Sequence, residues 1–131
     1  MFNSKLSSLA ICLVIYILAF YFSYLLLPET SKSIWIKITL WHIYATLFIY
    51  IGSLLLKNSS LYDPFWSVAP IPIVIYLTTI SENSLMIKLI ILIPIIFWGL
   101  RLTRNWIISW PGLKHEDFRY VDLKNTNSLK S

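Results

Sequence analysis

Two polar clusters interrupt an otherwise apolar sequence, and both contain residue types that can do chemistry. The first, residues 62–67, has the sequence Tyr-Asp-Pro-Phe-Trp-Ser. The second starts at residues 101–106, Arg-Leu-Thr-Arg-Asn-Trp, and continues at residues 112–120, Gly-Leu-Lys-His-Glu-Asp-Phe-Arg-Tyr. Guanidinium groups bind phosphates and carboxylates through paired hydrogen bonds, and carboxyl or phenol groups can donate a proton. The clusters are therefore candidates for binding an anion or moving a proton.

Arg101 and Arg104 are three residues apart, so a helix places both on one face. An arginine at the centre of a membrane span costs about 2.5–3.5 kcal/mol by insertion scales, and less near the interface. One interpretation is that both extend to lipid headgroups as positive anchors. The alternative is a bound anion: a lipid phosphate, a phosphorylated cofactor, or the carboxylate of Asp63, Glu116 or Asp117. We predict an ion pair, about 4 Å long, between Asp63 and Arg101 or Arg104.

Other residue types exclude several kinds of site. His115 is adjacent to two acids, whereas metal ligands on a helix are three or four residues apart, so no metal site is predicted. His42 is expected to be a neutral imidazole among interfacial aromatic residues, with proton handling as the alternative. A single cysteine, Cys12, excludes a disulfide framework.

The composition predicts an all-α integral membrane protein. Of the 131 residues, 57% are hydrophobic and 13% are charged, and the mean hydropathy is +0.70. In soluble domains about 45–50% of the residues are hydrophobic and about 25% are charged. A chain this short cannot bury so much apolar surface in water. The net charge is +5, but the basic residues flank apolar runs. Membrane lipids, rather than nucleic acid, are therefore the expected partners.

Four apolar runs predict the transmembrane helices, since each is about as long as a bilayer requires. Asp63 followed by Pro64 indicates a helix start, with Asp63 as the N-cap. Pro70 and Pro72 should bend or interrupt the third helix, because each lacks an amide donor. The helices are predicted near residues 6–27, 35–56, 64–80 and 85–108, within a membrane region 1–112 that precedes a polar cytoplasmic segment and tail, 113–131.

The positive charges predict the orientation of these four spans. One side of the membrane would carry both termini and seven basic residues, and the other side would carry three. Cytoplasmic connections have an excess of Lys and Arg, so both termini are predicted to be cytoplasmic. The seven are Lys5, Lys57, Arg101, Arg104, Lys114, Arg119 and Lys124, and the three are Lys32, Lys37 and Lys88.

The order and spacing of the motifs at 62–67, 101–106 and 112–120 resemble the DUF1295 family over roughly residues 40–124. That family is similar to the C-terminal domain of steroid 5α-reductases. The resemblance implies an integral membrane oxidoreductase that uses NADPH to reduce a lipid-like or sterol-like double bond.

The resemblance also implies that the chain is a partial bundle of a larger multipass fold. The family's later helices, with an Arg-His-Pro-Asn-Tyr-type segment and most of the cofactor contacts, have no counterpart in this sequence. We therefore expect an N-terminal half, whose partner would be a second half of the same fold. Candidates for the cofactor phosphates are Arg101, Arg104 and Arg119, and candidate proton donors are Tyr62, Glu116 and Tyr120.

Two other classes of function compete with a reductase. A non-enzymatic four-helix membrane protein, acting in interaction or assembly, fits the same apolar pattern. A small transporter would need an ionisable group in the middle of the membrane. All six acids lie in connections or tails, so the transporter is the least favoured of the three.

Overall fold

The computed structural model describes residues 4–29 and 33–128, and the side chains of residues 127 and 128 are not described. The predictions that concern Lys32 and the end of the polar tail fall on residues outside these ranges. The protein is all-helical, with 81% helix and no strand among the described residues. Its elements are α1 (Lys5–Leu25), α2 (Ile34–Leu56), a 3₁₀ turn (Ser59–Tyr62), α3 (Phe65–Val68), α4 (Pro70–Ile80), α5 (Leu85–Ser109) and α6 (Phe118–Ser128).

Four segments are long and apolar enough to cross a membrane. These are Lys5–Leu25, Ile34–Leu56, Ser59–Ile80 and Leu85–Ser109. They coincide with the four predicted spans to within a few residues, except that the third also includes the 3₁₀ turn. The predicted all-α membrane architecture is therefore confirmed, while the cytoplasmic location of both termini stays a prediction.

The chain forms two compact units. The first unit contains residues 1–62 and 110–131, and the second contains residues 63–109. In the first unit, α1 packs along α2, and α2 contacts the 3₁₀ turn. The second unit consists of α3, α4 and α5, which contact one another.

One stripe of α1 is buried, and its members recur every three or four residues as helical periodicity requires. Two of the hydrogen bonds that join α1 to other parts of the first unit are donated by aromatic side chains. The Tyr16 hydroxyl donates to the backbone oxygen of Leu61 at 2.8 Å, and Trp41 Nε1 of α2 donates to the backbone oxygen of Phe20 at 3.2 Å. The buried members of the stripe are Ser8, Cys12, Tyr16, Ala19 and Ser23.

The end of α2 turns the chain sharply. Its C-cap, Lys57, adopts the left-handed conformation at φ 52°. The next backbone amide, of Asn58, donates to the Ser53 oxygen at 3.0 Å, so the last turn of the helix is closed by hydrogen bonds. The chain then enters the 3₁₀ turn directly.

The third span is interrupted at Ala69, between α3 and α4. Pro70 is the first residue of α4, where the missing amide costs least. This break confirms the interruption predicted from the prolines. The predicted cap is wrong, however: the N-cap of α3 is Pro64, and Asp63 precedes it in a turn. The reason is that the 3₁₀ turn extends to Tyr62, so the chain is already curved before Asp63.

Small residues allow α3 and α5 to approach closely. A Cβ atom at Gly99 would lie 2.6 Å from the backbone oxygen of Ser67 and 2.9 Å from Cδ1 of Ile71. One turn further along α5, Thr103 Oγ1 lies 2.9 Å from Ser67 Oγ in a hydrogen bond. Membrane helices commonly associate through such small residues, since apolar burial gives no driving force in lipid.

Candidate functional site

A network of hydrogen bonds in the first unit joins residues 58–60 to residues 113–117, and we call it the polar clasp. At its centre is Asn58, whose side chain is almost fully buried. Its Nδ2 donates to the backbone oxygens of Leu113 at 2.9 Å and His115 at 3.0 Å. These two bonds satisfy carbonyl groups of a segment that has no regular secondary structure.

The two serines after Asn58 extend the polar clasp. The backbone amide of Ser59 donates to Glu116 Oε1 at 2.8 Å. The buried Ser60 hydroxyl accepts from the backbone amide of Asp117 at 2.8 Å, and the Ser60 amide donates to Asn58 Oδ1 at 3.0 Å. Backbone and side-chain groups on both segments therefore hold each other in place.

Glu116 is held as a carboxylate by this network. Burial alone would raise its pKa, but the hydrogen bonds from Lys124 and from Ser59 outweigh burial and lower the pKa below its usual value. Lys124 Nζ lies 2.7 Å from both carboxylate oxygens, and the Glu116 side chain is 14% exposed. An ionised carboxylate accepts hydrogen bonds only, so this geometry favours a structural role for Glu116 over proton donation at neutral pH.

Asp117 and Arg119 form a bidentate pair next to Glu116. Arg119 Nε and Nη2 donate to the two carboxylate oxygens at 2.8 and 2.9 Å. These hydrogen bonds lower the pKa of Asp117. The guanidinium carbon of Arg119 also lies 6.0 Å from the centroid of the Tyr120 ring. A phosphate bound by Arg119 would therefore share its guanidinium group with Asp117.

Gly112 sets the direction of the chain as it enters the polar clasp. Its φ is +122°, a conformation that residues with a Cβ rarely adopt. A Cβ there would lie 3.1 Å from Ser8 Oγ, and the same hydroxyl accepts from the Leu113 amide at 3.2 Å. The start of α1 and the 112–113 segment are therefore in direct contact.

Two of the three candidate cofactor residues, Arg101 and Arg104, lie in the second unit near the end of α5, whereas Arg119 belongs to the first unit. Arg101 and Arg104 are both exposed, eight and five residues before the helix ends at Ser109. Asp63 is half-buried in the turn that precedes α3. The ion pair between Asp63 and one of the two arginines stays a prediction. The candidate proton donors Tyr62 and Tyr120 are half-buried and both belong to the first unit.

The polar clasp itself was missed by sequence reasoning. Residues 58–60, Asn-Ser-Ser, have the composition of an ordinary polar connection. A weak signal was present, since an asparagine and two serines directly after a span are suited to capping and to binding backbone groups. Their partners are 55 to 57 residues away in the sequence, and no local pattern shows such a contact.

Comparisons with curated proteins and with solved structures found no match. A family model described as "Protein of unknown function (DUF1295)" matches residues 47–130, which is more than half of the chain. The matched region contains both polar clusters, the polar clasp segments 58–60 and 113–117, and all of α5. The chain therefore belongs to the DUF1295 family.

Proposed function

We propose that the chain contributes membrane helices and a phosphate-binding face to an NADPH-dependent reductase of lipid-like or sterol-like double bonds. The observation that supports this proposal is the pair of exposed arginines, Arg101 and Arg104, on one face of a membrane helix within the region matched by the DUF1295 family. In this proposal a second half of the same fold completes the site.

The arginine face suits the phosphates of a dinucleotide. Arg101 and Arg104 are three positions apart in the sequence, which corresponds to about 4.5 Å along the helix axis. Each guanidinium group can form two parallel hydrogen bonds to phosphate oxygens, and it stays charged at all physiological pH values. When bound, NADPH supplies the hydride that reduces the double bond. The two arginines hold its phosphates and take no part in the transfer.

Arg101 and Arg104 supply donors that fit the phosphates of NADPH. In this proposal the walls around the nicotinamide and the substrate come from the second half of the fold. Tyr62 and Tyr120 stay candidates for the proton donor.

A binding experiment tests this proposal. The chain would be purified in detergent, alone and co-expressed with the C-terminal part of a longer DUF1295 protein, and NADPH binding would be measured by fluorescence titration. We expect binding by the co-expressed pair, weakened at least tenfold by R101Q/R104Q, since a hydrogen bond to a charged group contributes about 1.5–3 kcal/mol. The matched control, K37Q/K57Q, removes the same charge in the first unit and should bind normally. Equal binding by both double variants would contradict the proposal.

A second candidate is a non-enzymatic membrane protein that acts in assembly. The exposure of α5 favours it: Gly99 is the only buried residue of this 25-residue helix. An assembly protein would use that apolar surface to bind another membrane protein. A co-expressed pair that forms a stable complex but binds no NADPH would favour this candidate over the reductase.

A further inference from the structure

A groove in the second unit runs between α4 and α5 and ends at the connection that joins them. Val74 and Leu77 of α4 line one wall, and Ile87 and Ile91 of α5 line the other. Since Val74 is seven residues before Ser81, the groove extends about 10 Å along α4. Its volume is about 270 Å³, which is enough for part of a hydrocarbon chain but not for a folded partner segment.

The lining of the groove at its mouth is polar and includes one positive charge, and the neighbouring Glu82 is exposed and does not line the groove. Ser81, Asn83 and Lys88 line this end, next to the apolar walls. Lys88 is half-buried, so its aliphatic stem packs while its ammonium group can reach the mouth. Within residues 4–29 and 33–128, Lys88 forms no salt bridge. The groove therefore changes from apolar to cationic along its length.

The position of Lys88 in α5 needs an explanation. It lies in the first turn of a 25-residue helix, where the helix dipole disfavours a positive side chain. An anion in front of that turn would interact favourably with both the lysine and the dipole. The apolar walls behind the lysine suit a ligand that also carries a hydrocarbon chain.

From these features we propose that the groove binds one anionic phospholipid, with its phosphate at Lys88 and part of one acyl chain between Leu77 and Ile91. The phospholipid comes from the leaflet that the 81–84 connection faces. The proposal is independent of the reductase, because the groove is lined by neither Arg101 nor Arg104 and needs no cofactor. It assigns a structural lipid to a part of the second unit that the proposed function does not use.

Photo-crosslinking in nanodiscs tests the lipid site. The chain would be placed in bilayers of phosphatidylcholine and phosphatidylglycerol that contain one of the two lipids with a diazirine in its acyl chain. Mass spectrometry would then locate the crosslinks. We expect crosslinks concentrated in residues 74–91, with phosphatidylglycerol favoured about fivefold, the ratio that corresponds to the contribution of one interfacial lysine.

Two pairs of variants give the experiment its controls. K88Q should bring the phosphatidylglycerol preference close to one, whereas K37Q removes the same charge in the first unit and should leave the preference unchanged. I91W should fill the groove and remove the crosslinks of both lipids, whereas I90W alters the neighbouring exposed residue and should not. Melting curves in the same nanodiscs would show that all variants are folded. Crosslinks spread evenly along α5, or a lipid preference that K88Q leaves intact, would overturn the proposal.

Discussion

The first unit joins residues that are far apart in the sequence by directional hydrogen bonds, whereas the second unit depends on the close approach of helix backbones. In the polar clasp, Asn58 reaches carbonyl groups 55 and 57 residues away. In the second unit, Gly99 lies so close to α3 that a Cβ there would be 2.6 Å from the Ser67 backbone oxygen. The first unit should therefore be sensitive to the loss of polar groups, and the second to the gain of volume.

This difference follows from the solvent around each contact. Near an aqueous interface, irregular segments such as 113–117 need partners for their backbone groups, and buried side-chain amides supply them. Between spans, the backbone groups are already bonded within each helix, so side-chain size decides how closely the helices approach. Four substitutions or titrations, taken from the largest expected effect to the smallest, test this distinction.

The largest effect is expected for G99A in the second unit. The new Cβ would meet backbone and a close side chain, so α3 must move away from α5, at a cost of about 1–3 kcal/mol for overpacking. The free energy of unfolding would be measured by denaturant titration in mixed micelles. The matched control is G52A in the first unit, where the new Cβ would meet only side-chain atoms, of Ile15 at 3.1 Å and Leu61 at 3.3 Å. If G99A and G52A lowered the free energy of unfolding equally, a close backbone approach would not distinguish the second unit from the first.

The next effect is expected for N58A in the first unit. The substitution removes both hydrogen bonds to the carbonyl groups of residues 113 and 115, and unsatisfied buried groups cost about 1–3 kcal/mol. Hydrogen exchange should become faster at the amides of Ser59 and Asp117, since these also belong to the polar clasp. N83A, at an exposed asparagine, serves as the control and should change stability by less than about 0.5 kcal/mol. Unchanged exchange in N58A would show that the polar clasp does not depend on Asn58.

A double-mutant cycle can show whether the second unit has an ion pair in addition to the hydrogen bond between Ser67 and Thr103. D63N should destabilise the bundle, and combining it with R101Q or R104Q should recover part of the loss, with a coupling of about 0.2–1 kcal/mol. The readout is the same denaturant titration in mixed micelles. Zero coupling to both arginines would remove the predicted ion pair and leave the arginines for lipid or cofactor phosphate.

The smallest effect is a pH dependence of the polar clasp. The pKa of Glu116 is lowered in the folded chain, so its contribution to stability is present above the usual carboxyl pKa and is lost as the pH falls through the folded value. The pKa of Asp117 is also lowered, so this residue makes stability depend on pH in the same direction. Stability should therefore decrease as the pH falls below the usual carboxyl pKa of about 4, and E116Q should reduce this slope. A slope that is the same in E116Q would mean that other carboxyl groups dominate.

The sequence predicts the spans well and their contacts poorly, and the reason is physical. An apolar run long enough to cross a bilayer favours a membrane helix by itself, so α1, α2 and α5 end within a few residues of their predicted limits. The effect of a proline on a membrane helix, in contrast, is not determined by the proline itself. Pro70 begins a new helix after the break at Ala69, whereas α5 continues through Pro94. Which outcome occurs depends on neighbouring groups that satisfy the freed carbonyl, and these are set by packing.

The candidate site shows the same division. The Arg101 and Arg104 pair was predicted from spacing alone, because helical periodicity places residues three apart on one face. The roles of Glu116 and Asp117 were not predicted from the sequence. The partner of Glu116 lies outside the motif at 112–120, and the contacts of Asp117 depend on the conformation of the loop. Lys124, which holds Glu116, lies in α6, a helix with a polar composition that gives no membrane signal.

The length of α5 has a consequence for the bilayer around it. Between Lys88 and Arg101 the helix has only 12 uncharged residues, which span about 18 Å, whereas a typical hydrocarbon core is about 30 Å thick. The long stems of the two basic residues recover part of this difference by reaching toward the headgroups. Local thinning of the surrounding bilayer is one way to accommodate the remainder, and we expect α5 to insert with less distortion in a thin membrane than in a thick one.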